Sequence, residues 1–185
     1  MADNHGIEEG VSGAWPIAMA LHELGRGASE RRLIAEGPAC SRIAKALDLV
    51  ELKSLEANLR ISPWLDGAQI EGRWSAVIVQ TCGVSLEPFE TALGGELTVR
   101  AVPSGSPALS SEPEHELELD PEADDPPDEA VEGLLPLGAY VVEDLSLALD
   151  PFPRKPGVEF QAPDPLPEPS PFAVLARLKD PGVNS

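Results

Sequence analysis

The clearest hydrophobic pattern along the chain is a strict alternation of apolar and polar residues, the period of a β-strand with one buried face. It predicts one strand over Leu55–Ile61 and another over Ala68–Thr81, with a turn signal at Asp66 and Gly67 between them. In the second strand both faces become apolar over Ala76–Val79, which is typical of a strand beneath a second layer. These residues are therefore expected to form the centre of a sheet.

Weaker alternation flanks this pair of strands. It predicts a strand over Ala14–Glu23 that is interrupted by Pro16, a short strand over Arg31–Glu36, and a strand over Glu96–Val102. The stretch Gly83–Gly95 carries no pattern that decides between strand and loop.

Two stretches instead repeat apolar residues at the three-to-four spacing of a helix. The first opens at Pro38, which suits a first helical turn, and its apolar face carries Ile43, Leu47 and Val50. The second ends before Pro151, and its apolar face carries Leu137, Val141, Leu145 and Ala148. The elements together predict an α+β domain with a mainly antiparallel sheet, open or barrel-like, and one or two covering helices.

Charge and proline divide the chain. Of 32 acidic residues, eleven lie in Glu112–Glu132, which has no Lys or Arg and contains four prolines. Such a segment has too little apolar surface to offset its ordering entropy, so it is predicted to be disordered. The predicted organisation is a single α+β domain in two parts, 1–102 and 134–160, an acidic disordered insertion, 103–133, and a proline-rich tail with a short terminal helix, 161–185.

Composition also excludes several classes of protein. No stretch approaches the roughly 18 apolar residues of a membrane span, and the acidic N-terminus lacks a basic-then-apolar signal, so a cytoplasmic protein is expected. The net charge of −19 and a pI near 4.3 argue against strong direct nucleic-acid binding.

Cys82, at the end of an apolar strand, is the first candidate for chemistry. A nucleophilic cysteine needs a base and a zinc site needs about four ligands. The possible companions, none within four residues, are His5, His22, Cys40 and His115. A buried structural thiol is therefore expected at Cys82, with no catalytic residue, metal or cofactor.

Two features suit binding better than catalysis. The acidic run is either a solubilising spacer or a contact for basic partners through electrostatic attraction. The second feature is Asp150–Gly157, which presents Phe152 and two cations on a proline-stiffened loop. A helix stop needs only one proline, so the aromatic and basic residues of this loop indicate a further role.

Three stretches resemble the alphaproteobacterial branch of the YceD family, the large ribosomal RNA subunit accumulation proteins. They are Leu55–Val102, above all Gly72–Cys82 followed by Leu86-Glu87-Pro88, then Leu137–Phe160, and the terminal Pro171–Leu175. The resemblance implies a cytoplasmic, non-enzymatic protein needed for accumulation of large-subunit ribosomal RNA.

Members outside this branch often carry CxxC pairs suited to zinc. Here Ser85 stands three residues after Cys82, and no cysteine lies between Lys155 and Phe160, so no metal site is carried over. Phe152 stands where tyrosine is more usual in the family.

Charge and resemblance together predict a protein that binds a basic ribosomal protein or a large-subunit assembly factor. The candidate partner-binding residues are Gln80, Thr81, Cys82, Phe152, Pro153, Arg154 and Lys155. Two alternatives remain: a thiol- or metal-dependent enzyme, and an RNA-contacting assembly factor. The second of these needs one basic patch that unites Arg73, Arg100, Arg154 and Lys155.

Overall fold

A computed structural model describes residues 13–109 and 126–160. The strands are Met19–Ala20 (β1), Ser29–Ile34 (β2), Glu51–Trp64 (β3), Gly67–Thr81 (β4), Pro88–Pro103 (β5), Asp128–Ala130 (β6) and Leu134–Leu135 (β7). The α-helices are Gly37–Ala46 (α1) and Leu137–Leu147 (α2), with 3-10 turns at Leu21–Glu23, Pro107–Leu109 and Val131–Gly133.

One five-stranded sheet organises the molecule in the order β2-β3-β4-β5-β6. Its pairs are antiparallel except β5–β6, which is parallel, and β1 and β7 form a separate two-stranded antiparallel ribbon. Over the described ranges, β2 and β6 form opposite edges that do not pair, so the sheet is open rather than a barrel. The expectation of an α+β fold with a mainly antiparallel sheet is confirmed.

The core lies on one face of this sheet, beneath both helices. The alternation predicted for β3 and β4 is confirmed, because the inward side chains of both strands are at most 4% exposed. α1 packs against β3 and α2 against β5, and the Trp74 indole N–H donates to the Asp144 carboxylate of α2. The opposite face is open to solvent and carries alternating arginine and glutamate side chains, such as the pair Arg73 and Glu96.

The N-terminal segment packs against the start of α2 instead of forming the long strand predicted over Ala14–Glu23. Only β1 is extended, because the chain turns at Pro16, where the N–H of Ile17 donates to the Trp15 carbonyl at 2.8 Å. The Gly138 N–H donates to the Ile17 carbonyl at 2.9 Å. A Cβ at Gly138 would lie 2.1 Å from the Trp15 carbonyl oxygen, so this close approach requires glycine.

The predicted first helix ends earlier than its apolar spacing suggested. Asp48 has a left-handed φ of +52°, which reverses the chain after α1. Val50, expected on the helix face, is 57% exposed and donates its N–H to Val79 of β4 at 3.0 Å. It therefore joins the sheet rather than the helix.

The predicted insertion, 103–133, is folded at both ends, in contrast to the expected disorder. Ser106 is buried and its hydroxyl donates to Asp66 at 2.9 Å, and β6 pairs with the end of β5. Ala130 of β6 is fully buried, which explains why this short acidic strand stays on the sheet. Residues 110–125 and the tail 161–185, with its predicted helix, lie outside the described residues.

Candidate partner-binding site

Two loops that are distant in sequence meet at the end of β4. The Cys82–Glu87 loop follows β4, and the Asp150–Gly157 loop follows α2. The Gly83 N–H donates to the Pro153 carbonyl at 2.8 Å, and the Cys82 N–H donates to the Glu87 carbonyl at 2.9 Å. We call this pair of segments the joined loops. Their backbone contacts hold the candidate residues at one place on the molecule.

The Cys82 thiol lies at the centre of the joined loops. It is fully buried, and its Sγ accepts hydrogen bonds from the N–H groups of Val84, Ser85 and Lys155, each at 3.4 Å. Hydrogen bonding by Ser85, and then by the Lys155 N–H, lowers the pKa of Cys82 to about 6, because these donors favour the thiolate. The burial predicted for Cys82 is confirmed, and hydrogen bonds to its sulfur connect the two loops.

An ion pair also joins the two loops. The Lys155 ammonium donates to the Glu87 carboxylate at 2.8 Å, which lowers the pKa of Glu87 and raises the pKa of Lys155. The Lys155 charge, expected to meet a partner, is therefore already engaged within the site. Arg154 beside it is exposed.

Apolar side chains project from both loops into solvent. Phe152 is 76% exposed, and its N–H donates to the Asp150 carboxylate at 2.8 Å, which fixes the turn that presents the ring. Leu86 is also 76% exposed and has a left-handed φ of +60°. Sequence reasoning missed Leu86, since no periodicity distinguishes it from its neighbours.

The remaining candidates lie at the last residues of β4. Gln80 is half-buried opposite Phe89 of β5, and Thr81 is exposed opposite Pro88. The structure thus brings all seven candidate residues to one end of the molecule.

The four cations of the RNA-contacting alternative do not form one patch. Arg73 bonds Glu96 at 2.7 Å on the open face of the sheet, and Arg100 lies 5.3 Å from the Trp64 ring centroid. The backbone N–H of Lys155 contacts Cys82, which follows Arg73 by nine residues. At the rise of an extended strand, Cys82 lies roughly 30 Å from Arg73. Arg154 and Lys155 are therefore separated from the arginines of the sheet.

Other reactive side chains are dispersed. Cys40 in α1 is buried and donates its S–H to the Ala35 carbonyl at 3.3 Å, and burial raises its pKa. Within residues 13–109 and 126–160, no group of three or more His, Cys, Asp or Glu side chains is placed to hold a metal ion. No helix in these same ranges is long and apolar enough to cross a membrane.

The fold and the joined loops define an α+β protein with a preformed surface of exposed apolar side chains. No protein-family model, no curated protein and no solved structure matches this chain.

Proposed function

We propose that the protein is a non-enzymatic cytoplasmic factor in large-subunit ribosomal RNA accumulation, and that it acts by binding a basic ribosomal protein or assembly factor. One observation carries this proposal. Two of the stretches that resemble the YceD family, Gly72–Cys82 and the segment around Pro153, are far apart in sequence. The end of the first, at Cys82, contacts the second in the joined loops. A shared binding surface accounts for the resemblance at both places.

The chemistry of the partner follows from charge. A net charge of −19 attracts a basic protein and repels ribosomal RNA. Both forces act over a range that shortens as the salt concentration rises, because dissolved ions screen them. Bound to such a partner, the protein would compete with RNA phosphate and hold the partner until it is incorporated.

Specificity comes from the apolar residues of the joined loops. Exposed aromatic side chains on a fixed backbone lose little conformational entropy on binding and often supply the largest share of interface energy. Phe152 meets this description, because the Asp150 turn and the Gly83–Pro153 bond hold its backbone. Leu86 adds a second apolar contact on the neighbouring loop.

The chain offers a matched control for this proposal. Phe160 is 74% exposed, nearly the same as Phe152, but it lies beyond the joined loops. We expect Phe152→Ala to reduce the large-subunit ribosomal proteins captured with the tagged protein by at least about tenfold, the loss typical of an interface anchor. Phe160→Ala should leave their amounts unchanged, as measured by quantitative mass spectrometry. Equal capture by both variants would contradict the proposal.

A further inference from the structure

The outer edge of β5 is the longest exposed strand edge in the described part of the chain. β5 spans 16 residues, but β6 pairs only with Ala101–Pro103 at its end. Over Pro88–Val99 the described structure pairs β5 with β4 alone. The register with β4 runs without a shift from Pro88 to Ala101, so the edge is regular.

This edge lacks the devices that usually protect a strand from pairing with another chain. Exposed edges are normally short, or interrupted by bulges, prolines or charges. The opposite edge, β2, is such a case, because it is only six residues long. By contrast, Phe89–Val99 contains no proline and no bulge.

The two glutamates within this edge are turned away from it. Glu90 bonds Lys53 of β3, and Glu96 bonds Arg73 of β4 at 2.7 Å. Both carboxylates therefore reach back over the sheet, and neither blocks an incoming strand.

The hydrophobic core is also incompletely covered at this edge. On β4, Ala76 and Ile78 are at most 2% exposed. Their partners on β5, Leu93 and Thr91, are only half-buried, as is Phe89. A further strand beside β5 would cover these side chains and extend the core.

We propose that the outer edge of β5 binds an extended, basic segment of the partner protein by adding it to the sheet as a strand. The three glutamates from Glu87 to Val99 are each paired with a cation, so the attraction for a basic segment comes from the net charge of −19 on the whole chain. Asp128 and Glu129 of β6 lie at the far end of this edge. A second copy of this chain would carry the same net charge of −19, so repulsion between copies favours a basic partner over a dimer.

This inference rests on the proposed function and extends it. The edge begins at Pro88, directly after the joined loops, so a partner anchored at Phe152 would continue along β5. The joined loops supply the anchor, and the backbone of β5 supplies a row of hydrogen bonds.

The test uses the full-length chain and a synthetic peptide of about ten alternating lysine and valine residues, which spans roughly 33 Å when extended. At low salt, we expect every second backbone amide between Phe89 and Val99 to exchange hydrogen at least about tenfold more slowly once the peptide binds, as measured by NMR. The same peptide with alternate N-methylated amides keeps its charge but loses those bonds, and it should give no protection.

A matched pair of variants supports the assignment. Leu93→Lys places a charge in the half-buried row of β5, whereas Ile34→Lys adds the same charge to the opposite edge. We expect at least about tenfold weaker peptide binding for the first variant and little change for the second. If Leu93→Lys fails to fold, the N-methylated peptide alone decides the question.

Three results would overturn the inference. They are equal binding of the two peptides without protection of β5, protection already present in the free protein, and protection that depends on protein concentration in the absence of peptide. None of them affects the Phe152 comparison, so failure of the edge proposal is distinguishable from failure of the proposed function.

Discussion

At the residue scale, Cys82 shows what a local sequence pattern can predict and what it cannot. The apolar strand before it predicted burial correctly. The three N–H groups that converge on its sulfur could not be predicted, because they belong to two loops about seventy residues apart. The same is true of the Lys155–Glu87 ion pair, since nothing local in the sequence relates these two residues.

The depressed pKa of Cys82 predicts a pH-dependent contribution to stability. The unfolded thiol has a pKa of 9.0 and the folded thiol a pKa of about 6, so the unfolded chain binds more protons between these values. The contribution is complete above pH 9 and is lost as the pH falls through 6. The difference in unfolding free energy between the native protein and Cys82→Ala should therefore grow from about pH 6 to about pH 8.

Cys40→Ala is the matched control for this measurement. Burial raises the pKa of the Cys40 thiol, so it stays protonated in both states across this range. Its effect on denaturant unfolding should be constant between the two pH values. A constant difference for Cys82→Ala as well would show that the thiolate is not stabilised.

At the scale of elements, prediction succeeded where one face of a strand is uniformly buried, as in the centre of β3 and in β4. It failed where other constraints break the alternation. A register shift between Leu52 and Ser54 interrupts the alternation, so the start of β3 was not predicted. In β5 a pair of glycines resembles a turn, but Gly95 lies beneath the Trp74 indole, where a Cβ would come within 2.8 Å of the ring nitrogen. β6 was not predicted, because two of its three residues are charged and only Ala130 is buried.

The contact between the N-terminal segment and α2 leads to a stability prediction. Gly138→Ala should destabilise the protein by about 1–3 kcal/mol, because its Cβ would overlap the Trp15 carbonyl and push the segment away. This cost exceeds the gain of at most about 1 kcal/mol in helix propensity. Gly27→Ala, where a Cβ meets nothing within 4 Å, should change stability by less than about 0.5 kcal/mol. Urea unfolding compares the two, and equal midpoints would refute the close approach.

At the scale of the whole molecule, we expect the acidic charge to be separable from the fold. Residues 112–125 carry eight carboxylates, whereas 128–130 belong to the sheet. Composition placed the end of the predicted insertion, residue 133, too late. The reason is that a three-residue strand paired in parallel with a distant one leaves no local pattern.

Two deletions test this separation. Removal of 112–125 should weaken binding to a basic partner by about tenfold at low salt, because it removes electrostatic attraction. Its melting temperature should change little, because this stretch has few apolar residues to bury. Removal of 112–132 also deletes β6 and should lower the melting temperature by several degrees. Equal melting temperatures for the two deletions would contradict the role of β6.

We propose that this protein holds a basic component of the large ribosomal subunit. The most direct measurement is a sucrose-gradient profile of cells that lack the protein, with a tagged copy followed across the gradient of normal cells. We expect a deficit of large subunits, with the tagged protein on a subunit precursor or bound to a ribosomal protein near the top of the gradient. Normal subunit ratios, with the tagged protein free and alone, would contradict it.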